Sequence, residues 1–228
     1  MPRFVLASAS PARRALLESA GLRPEVMISG VDESTLTASM PAAGPGELAT
    51  VLAAAKAHAV GAAIIIGAGA ISGASAPGGT AVPGGTVPDG ETALVLGCDS
   101  VLELDGAGYG KPADPTEAVR RWRRMAGRSG VLHTGHCLLA VRAGRVVAET
   151  AELASTTVHF GRPDPAELDA YVETGEPLAV AGAFTLDGRG GWFVDGIEGD
   201  HGNVLGLSLP VLRTMLRTVG VRVIDLWT

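Results

Sequence analysis

LVLGCDSVLEL, residues 94–104, is the stretch on which the reading of this chain turns. It reads as a buried strand, interrupted near Gly97, with one carboxylate, Asp99, in its middle. An isolated buried carboxylate is costly unless it is paired or bound to a metal, so Asp99 is at once a fold marker and a candidate general base or metal ligand.

Strands and helices alternate outward from it. Towards the N-terminus, Arg3 to Ala7 and Val26 to Ser29 have strand character. Between them Ser10-Pro11 opens a helix that Gly21 stops, with Ser10 as N-cap and Pro11 at the first helical position. Residues 47–59 form a helix with Leu48, Val51, Leu52 and Ala55 at core spacing. Towards the C-terminus, Asp114-Pro115 with Glu117 and Asp164-Pro165 with Glu167 repeat one helix-start signature that resembles a capping box. Val131 to Arg142 and Val146 to Phe160 are long strands. Ala183 to Leu186, Trp192 to Val194 and Val221 to Trp227 are shorter ones, and Leu209 to Val219 is a helix. This alternation predicts an α/β fold, a mixed central sheet with helices packed on it.

Residues 61–92 differ in composition: GAISGASAPGGTAVPGGTVPDG within them is rich in Gly, Ala and Pro, and predicts a flexible insert after a short strand at Ile64 to Ile66. The 228 residues otherwise suit a single domain with this insert. Inside it, IIGAGAISG at 65–73 imitates a dinucleotide-binding turn. That mechanism needs a helix opening at the glycines, and the Ala74-Ser75-Ala76-Pro77 that follows cannot supply it.

Bulk properties exclude several classes. With 46% hydrophobic and 18% charged residues the chain is globular. A net charge of −6 disfavours a polymeric nucleic-acid partner, while a small anionic substrate fits a local basic pocket. The two cysteines, Cys98 and Cys137, form no C-x-x-C pair, so neither a disulfide framework nor a structural zinc site is expected. MPRFVLASAS is too short for a signal h-region, and the apolar window from Ala57 to Ile71 falls short of the roughly 20 residues of a spanning helix, so the expectation is a cytoplasmic protein with no membrane partner. His133 and His136 lie three apart on a strand, hence on opposite faces, and are not expected to chelate one ion.

The chemistry concentrates elsewhere. In LASASPARR, residues 6–14, a strand runs through a hydroxyl-bearing turn into a helix start. Ser8, Ser10 and the free amides can donate to an anion, and Arg13 can grip phosphate oxygens; a plain N-cap beside surface arginines explains the pattern as well. Val31-Asp32-Glu33, on its own, reads as a solvated loop. Sixteen arginines stand against two lysines, Lys56 and Lys111. Where arginine serves for ordinary charge, the surviving lysines mark places that need a compact ammonium, unless chance left them there.

LASASPAR, VDES, AAAKA, GCDSV, YGKP, MAGRSGVLHTGH and GEPLAVAGAFTLDGRGGWFVDGIEGDHGNVLGLSLP, in this order, resemble the Maf family of nucleotide pyrophosphatases, with residues 61–92 outside the resemblance. The resemblance implies two lobes around a nucleotide cleft, water attack on the α-phosphate of a nucleoside triphosphate, and a divalent cation, Mg²⁺ or Mn²⁺. By motif, Asp99 would accept the proton, Ser8, Ser10, Arg13, Lys56 and Lys111 would bind phosphates, and Glu33 and Asp99 would hold the metal. Ala12, Gly130, Val180 and Asp187 depart from frequent family residues. The last two stand where the nucleotide is expected, so the base remains open between pyrimidines, methylated GTP and others. A homodimer is compatible with the resemblance. The competing readings are a non-enzymatic nucleotide-binding regulator of cell division and septum formation, and a house-cleaning hydrolase of deaminated purines with a similar fold. A pure binder would not need a buried base, which favours an enzyme.

Overall fold

A computed structural model describes residues 2–71 and 92–228. Its spine is the strand that holds Asp99. β1 (Arg3–Leu6) and β2 (Glu25–Val26) lie on one side of β3 (Thr92–Leu104), and β5 (Ser129–Arg142), β6 (Arg145–Phe160) and β7 (Val194–Glu198) on the other, in the order β2-β1-β3-β5-β6-β7. β4 (Ala107–Tyr109) turns back antiparallel on the far end of β3. β1 is parallel to β3, while β5, β6 and β7 are antiparallel to their neighbours. The mixed sheet is thus the predicted one.

Three apolar clusters cover this sheet. Leu94, Leu96 and Cys98 of β3 pack with Leu17 of α1 (Pro11–Ser19) and with Leu212, Met215 and Leu216 of a C-terminal helix. Leu102 and Leu104, of the same alternate set, pack with Trp122 of α4 (Pro115–Met125) and with Leu168 and Tyr171 of α5 (Pro165–Glu173). The opposite set, Ala93 and Val95, packs with Ala53, Ala57, Val60 and Ile64 of α3 (Pro45–Ile71). One face of β3 therefore carries two separate cores, with Ser100 at the step between them, and the other face carries α3. α2 (Glu33–Ala38), α6 (His201–Val204) and α7 (Leu209–Thr218), which is the C-terminal helix of the first cluster, complete the set.

The helix starts form as their sequences dictate. The Ser10 Oγ accepts from the Arg13 N–H and caps α1. α5 has both halves of a capping box between Asp164 and Glu167. At α4 the Asp114 side chain accepts from the Glu117 N–H, but the Glu117 carboxylate accepts from the Ala113 N–H rather than from the cap residue.

Several expectations are corrected. α3 extends to Ile71, so 64–66 is helix and not strand, and residues 61–71 are helical rather than loop. The dinucleotide-turn reading of 65–73 loses its strand as well. Residues 72–91 lie outside the described residues. A long α3 also changes the hydropathy reading: Pro45–Gly67 is 23 residues long and contains an 18-residue window of mean hydropathy 1.8, enough in length and composition to cross a membrane. In this fold its apolar stripe is used against the sheet, and Lys56 within it is buried in an ion pair. Alanine-rich helices and short apolar strands share one composition, and periodicity over three residues cannot separate them.

Gly97 does not interrupt β3. It is where α3 crosses, since a Cβ there would stand 2.2 Å from the Ala53 carbonyl oxygen. β2 is shorter than predicted. Residues 183–186 and 221–227 are not strands: a 3₁₀ turn ends at Ala183, and another spans Val223–Asp225. Both stretches are β-branched or apolar because they pack on the clusters, as Phe184 and Leu226 do, without pairing to the sheet.

Candidate active site

β1 ends at Leu6, opposite Leu96, and the Ala7 N–H makes a last bond to the Leu96 carbonyl. β3 continues to Leu104, and β4 pairs with it only from Leu102. Among the described residues, 97–101 therefore have no strand neighbour on that edge, while β5 pairs along all of them on the other. Asp99 and Ser100 stand in this gap. The Ser8–Ser10 turn and the start of α1 close one end of it, because they follow directly from the end of β1.

On the α3 face, the Lys56 ammonium is ion-paired to Asp99 and lies 2.7 Å from a Glu33 carboxylate oxygen. Lys56 and Asp99 are buried, whereas the Glu33 side chain is half exposed. Burial raises the Asp99 carboxyl above the 3.8 of a solvated aspartate, with Glu33 adding to the rise and Lys56 and Arg13 opposing it. A raised carboxyl that still sits beside an ammonium is suited to take up a proton. Asp32, next to Glu33 in the chain, serves differently: it caps α2, and bonds from Ser34 and Thr35 hold its carboxyl at about 2.

On the other face Arg13 is buried and held by three side-chain hydrogen bonds. Nε donates to the Gly206 carbonyl at 2.7 Å, and the two terminal nitrogens donate to the Ser8 and Ser100 hydroxyls, each at 3.0 Å. Ser8 Oγ also accepts from the Ser10 N–H. Beyond Ser100 the bonds continue. Thr134 Oγ1 lies 2.9 Å from Ser100 Oγ and donates to the Asn203 carbonyl, and the Asn203 amide donates to the Leu132 carbonyl and to Thr156. This polar seam fills the step between the two cores of the sheet face.

Ser8, Ser10 and Arg13 thus form one bonded set and Glu33, Lys56 and Asp99 another, and the two meet where Ser100 follows Asp99 on β3. Lys111 is placed apart from both, exposed on the loop after β4, and among the described residues no contact ties it to the others. That loop is anchored: the Gly110 carbonyl accepts from the Gly182 N–H and from Arg121, whose guanidinium also lies 5.0 Å over the Tyr109 ring. Sequence reasoning missed Ser100, Thr134 and Asn203. Ser100 adjoins Asp99 and could have been found from that; Thr134 lies in β5 and Asn203 in α6, and their partners were not visible in the sequence. His133 and His136 point to opposite faces as expected. His133 bonds Glu103 and Ser155, and the buried His136 accepts from the Ser208 N–H. Burial, with Arg13 nearby, lowers His136 to about 4.

Glu33 and Asp99 offer hard oxygen donors that already converge on one cation, the Lys56 ammonium. This donor set fits Mg²⁺ or Mn²⁺, which take carboxylate and phosphate oxygens.

The family described as Maf-like protein matches residues 3–219. A Streptomyces coelicolor protein named nucleoside triphosphate pyrophosphatase is 52% identical over 225 residues, covering 99% of this chain and 94% of that protein. Proteins of the same name from Nocardia farcinica and Mycolicibacterium gilvum are 51% identical over 226 residues (98% of this chain and 96% of the relative) and 46% identical over 229 residues (100% of both).

Proposed function

The chain belongs to the Maf family, and from this we propose that it is a nucleoside triphosphate pyrophosphatase, a hydrolase that converts a nucleoside triphosphate to its monophosphate and pyrophosphate. The observation that carries the reading is the buried Lys56 ammonium shared between Asp99 and Glu33, beside the Ser8–Arg13 turn. Water attacks the α-phosphorus; as the new O–P bond forms, Asp99 takes its proton. The bond from the α-phosphorus to the bridging oxygen breaks, and pyrophosphate leaves with that electron pair. Lys56 keeps Asp99 ionised until the proton arrives.

Ser8, Ser10 and the amides at the start of α1 orient phosphate oxygens. Three of the five Arg13 N–H donors are used within the protein and fix the Ser8 and Ser100 hydroxyls; the remaining terminal N–H groups and the charge act on the phosphates. Lys111, on its anchored loop, reaches the phosphates from the β4 side. Glu33 and Asp99 would hold a divalent cation, Mg²⁺ or Mn²⁺, which supplies neutralisation of phosphate charge when bound. The reading also places the enzyme in the cytoplasm, where nucleoside triphosphates are.

Product analysis tests this. Incubation with a panel of triphosphates and Mg²⁺ or Mn²⁺ is expected to give monophosphate and pyrophosphate. Diphosphate with inorganic phosphate would mean attack at the γ-phosphorus and would refute the reading. The same panel, with ordinary and modified bases, identifies the preferred nucleotide.

A further inference from the structure

On the far flank of α3, away from the active site, three metal-binding chemistries meet. His58 Nε2 of α3 lies 3.0 Å from Glu149 Oε1 of β6, and Cys137 Sγ of β5 lies 3.9 Å from the same oxygen. All three ligand atoms are within 4.8 Å of one another. We propose that His58, Cys137 and Glu149 form a second cation site, for Zn²⁺ or a similar borderline divalent ion, that clips α3 to the sheet.

The distances suit this ion. Tetrahedral Zn²⁺ with nitrogen and oxygen at about 2.0–2.1 Å and sulfur at about 2.3 Å sets ligand atoms about 3.3–3.6 Å apart. The two separations from Glu149 Oε1, 3.0 and 3.9 Å, bracket that range, and the third, His58 Nε2 to Cys137 Sγ, is within 4.8 Å, so rotation of the exposed His58 and Glu149 side chains closes the site. The backbone placement is fixed by register. Glu149 pairs with Leu139 in the β5–β6 ladder, which puts it diagonally beside Cys137 on the α3 face. Cys137 is buried at the base of the notch, and the His58 and Glu149 side chains that wall it are each about half exposed, at 50% and 43%. An ion can enter from solvent, and a fourth position stays open to water. Nitrogen, sulfur and carboxylate together favour Zn²⁺ over Mg²⁺ or Ca²⁺, which take oxygen alone.

Burial and Glu149 push the free Cys137 thiol up to about 12. An ion seated on Glu149 and His58 reverses the charge next to the sulfur, so binding releases the thiol proton to solvent.

The site has a structural consequence. Ala57 faces the sheet, and Lys56 and His58 leave α3 on opposite flanks of it, about 100° to either side. Lys56 is committed to Asp99 and Glu33. A clip through His58 therefore holds both flanks of the helix that carries the active-site ammonium.

Cobalt substitution tests the proposal. The metal-free protein titrated with Co²⁺ is expected to show a thiolate-to-cobalt charge-transfer band that Zn²⁺ abolishes by competition. A cation held by Glu33 and Asp99 alone gives no such band. Cys137→Ser is expected to eliminate it, and His58→Ala, at an exposed position, to weaken Co²⁺ affinity by about tenfold or more, a loss that even an outer-shell partner can cause. No band in the unaltered protein, a band that survives Cys137→Ser, or an affinity unchanged in His58→Ala would overturn the proposal. If Cys137→Ser does not fold, the unaltered protein and His58→Ala decide it between them.

Discussion

Replacing Asp99 by Asn removes basicity while keeping size and an oxygen that can accept from Lys56. A positioned general base contributes about 10²–10⁴-fold, equal to about 2.7–5.4 kcal/mol of barrier. We expect kcat to fall by at least about 10²-fold. The pH profile should change with it. Burial raises Asp99 above 3.8, so the acid limb of kcat/KM lies above that value in the native enzyme and vanishes in the variant.

Stability should move the other way. A carboxyl whose folded pKa is raised binds more protons in the native than in the unfolded state, so its contribution to stability declines as pH rises from about 3.8 through the folded value. The Asp99→Asn variant has no such decline, and its amide oxygen still faces the Lys56 ammonium, which also retains Glu33. At neutral pH the variant is expected to be as stable as the parent, or more so. Steady-state kinetics across pH, with urea unfolding on the same samples, measures both. A folded Asp99→Asn protein with near-normal turnover would refute the base assignment and pass the role to Glu33. A variant that unfolds would show instead that the ion pair with Lys56 is a structural requirement.

Other outcomes follow from particular contacts. Gly97→Ala, whose Cβ would stand 2.2 Å from the Ala53 carbonyl oxygen, should cost about 1–3 kcal/mol in urea unfolding by pushing α3 off the sheet. Lys111→Arg keeps charge but replaces a compact ammonium with a planar fork, and should lower kcat/KM without altering Tm; an unchanged rate would return Lys111 to the surface. His136 is lowered from 6.5 to about 4, so it binds fewer protons when folded, and stability should fall as pH drops from about 6.5 towards 4. His136→Gln should flatten that part of the pH–stability curve. Replacing residues 72–90 by a brief Gly-Ser loop should leave turnover and soluble yield unchanged, since closure entropy depends weakly on loop length.

Much of this architecture was legible because its signals are local. The caps of α1, α4 and α5 are set by side chains within four residues of the helix start. Asp99 announced itself by being a charge among residues that had to be buried. The errors share one cause: short apolar stretches take their state from distant partners. Residues 64–66 continue α3 because Ile64 is buried in the cluster that α3 makes with the sheet, and residues 221–227 stay unpaired although they are strand-like, because they cover the first core from the side. Gly97 read as an interruption because a glycine weakens a strand taken alone; its actual purpose, room for Ala53 and Ala57, belongs to another element. The place of Arg13 after Ser10 marks it as an anion-binding candidate but says nothing of Gly206, 193 residues away, whose carbonyl accepts from its Nε.

The site itself follows from a mismatch in strand length. Had β1 continued beside β3 past Leu96, its backbone would have paired with residues 97–101 and filled the gap at Asp99. It stops where the chain turns at Ser8, and the helix that follows points its N-terminus at the vacated edge. On the face below, the two cores cannot merge, because Ser100, Thr134 and Asn203 occupy the step between them with hydrogen bonds that apolar side chains could not replace. Arg13 bridges that step to the Ser8 turn. Movement of one core relative to the other would therefore be felt at Ser8 and Ser100 together, on either side of the carboxylate. A short first strand, a polar seam and one long helix are enough to hold the Asp99 carboxylate, the Ser8–Ser10 turn and the Lys56 ammonium in register.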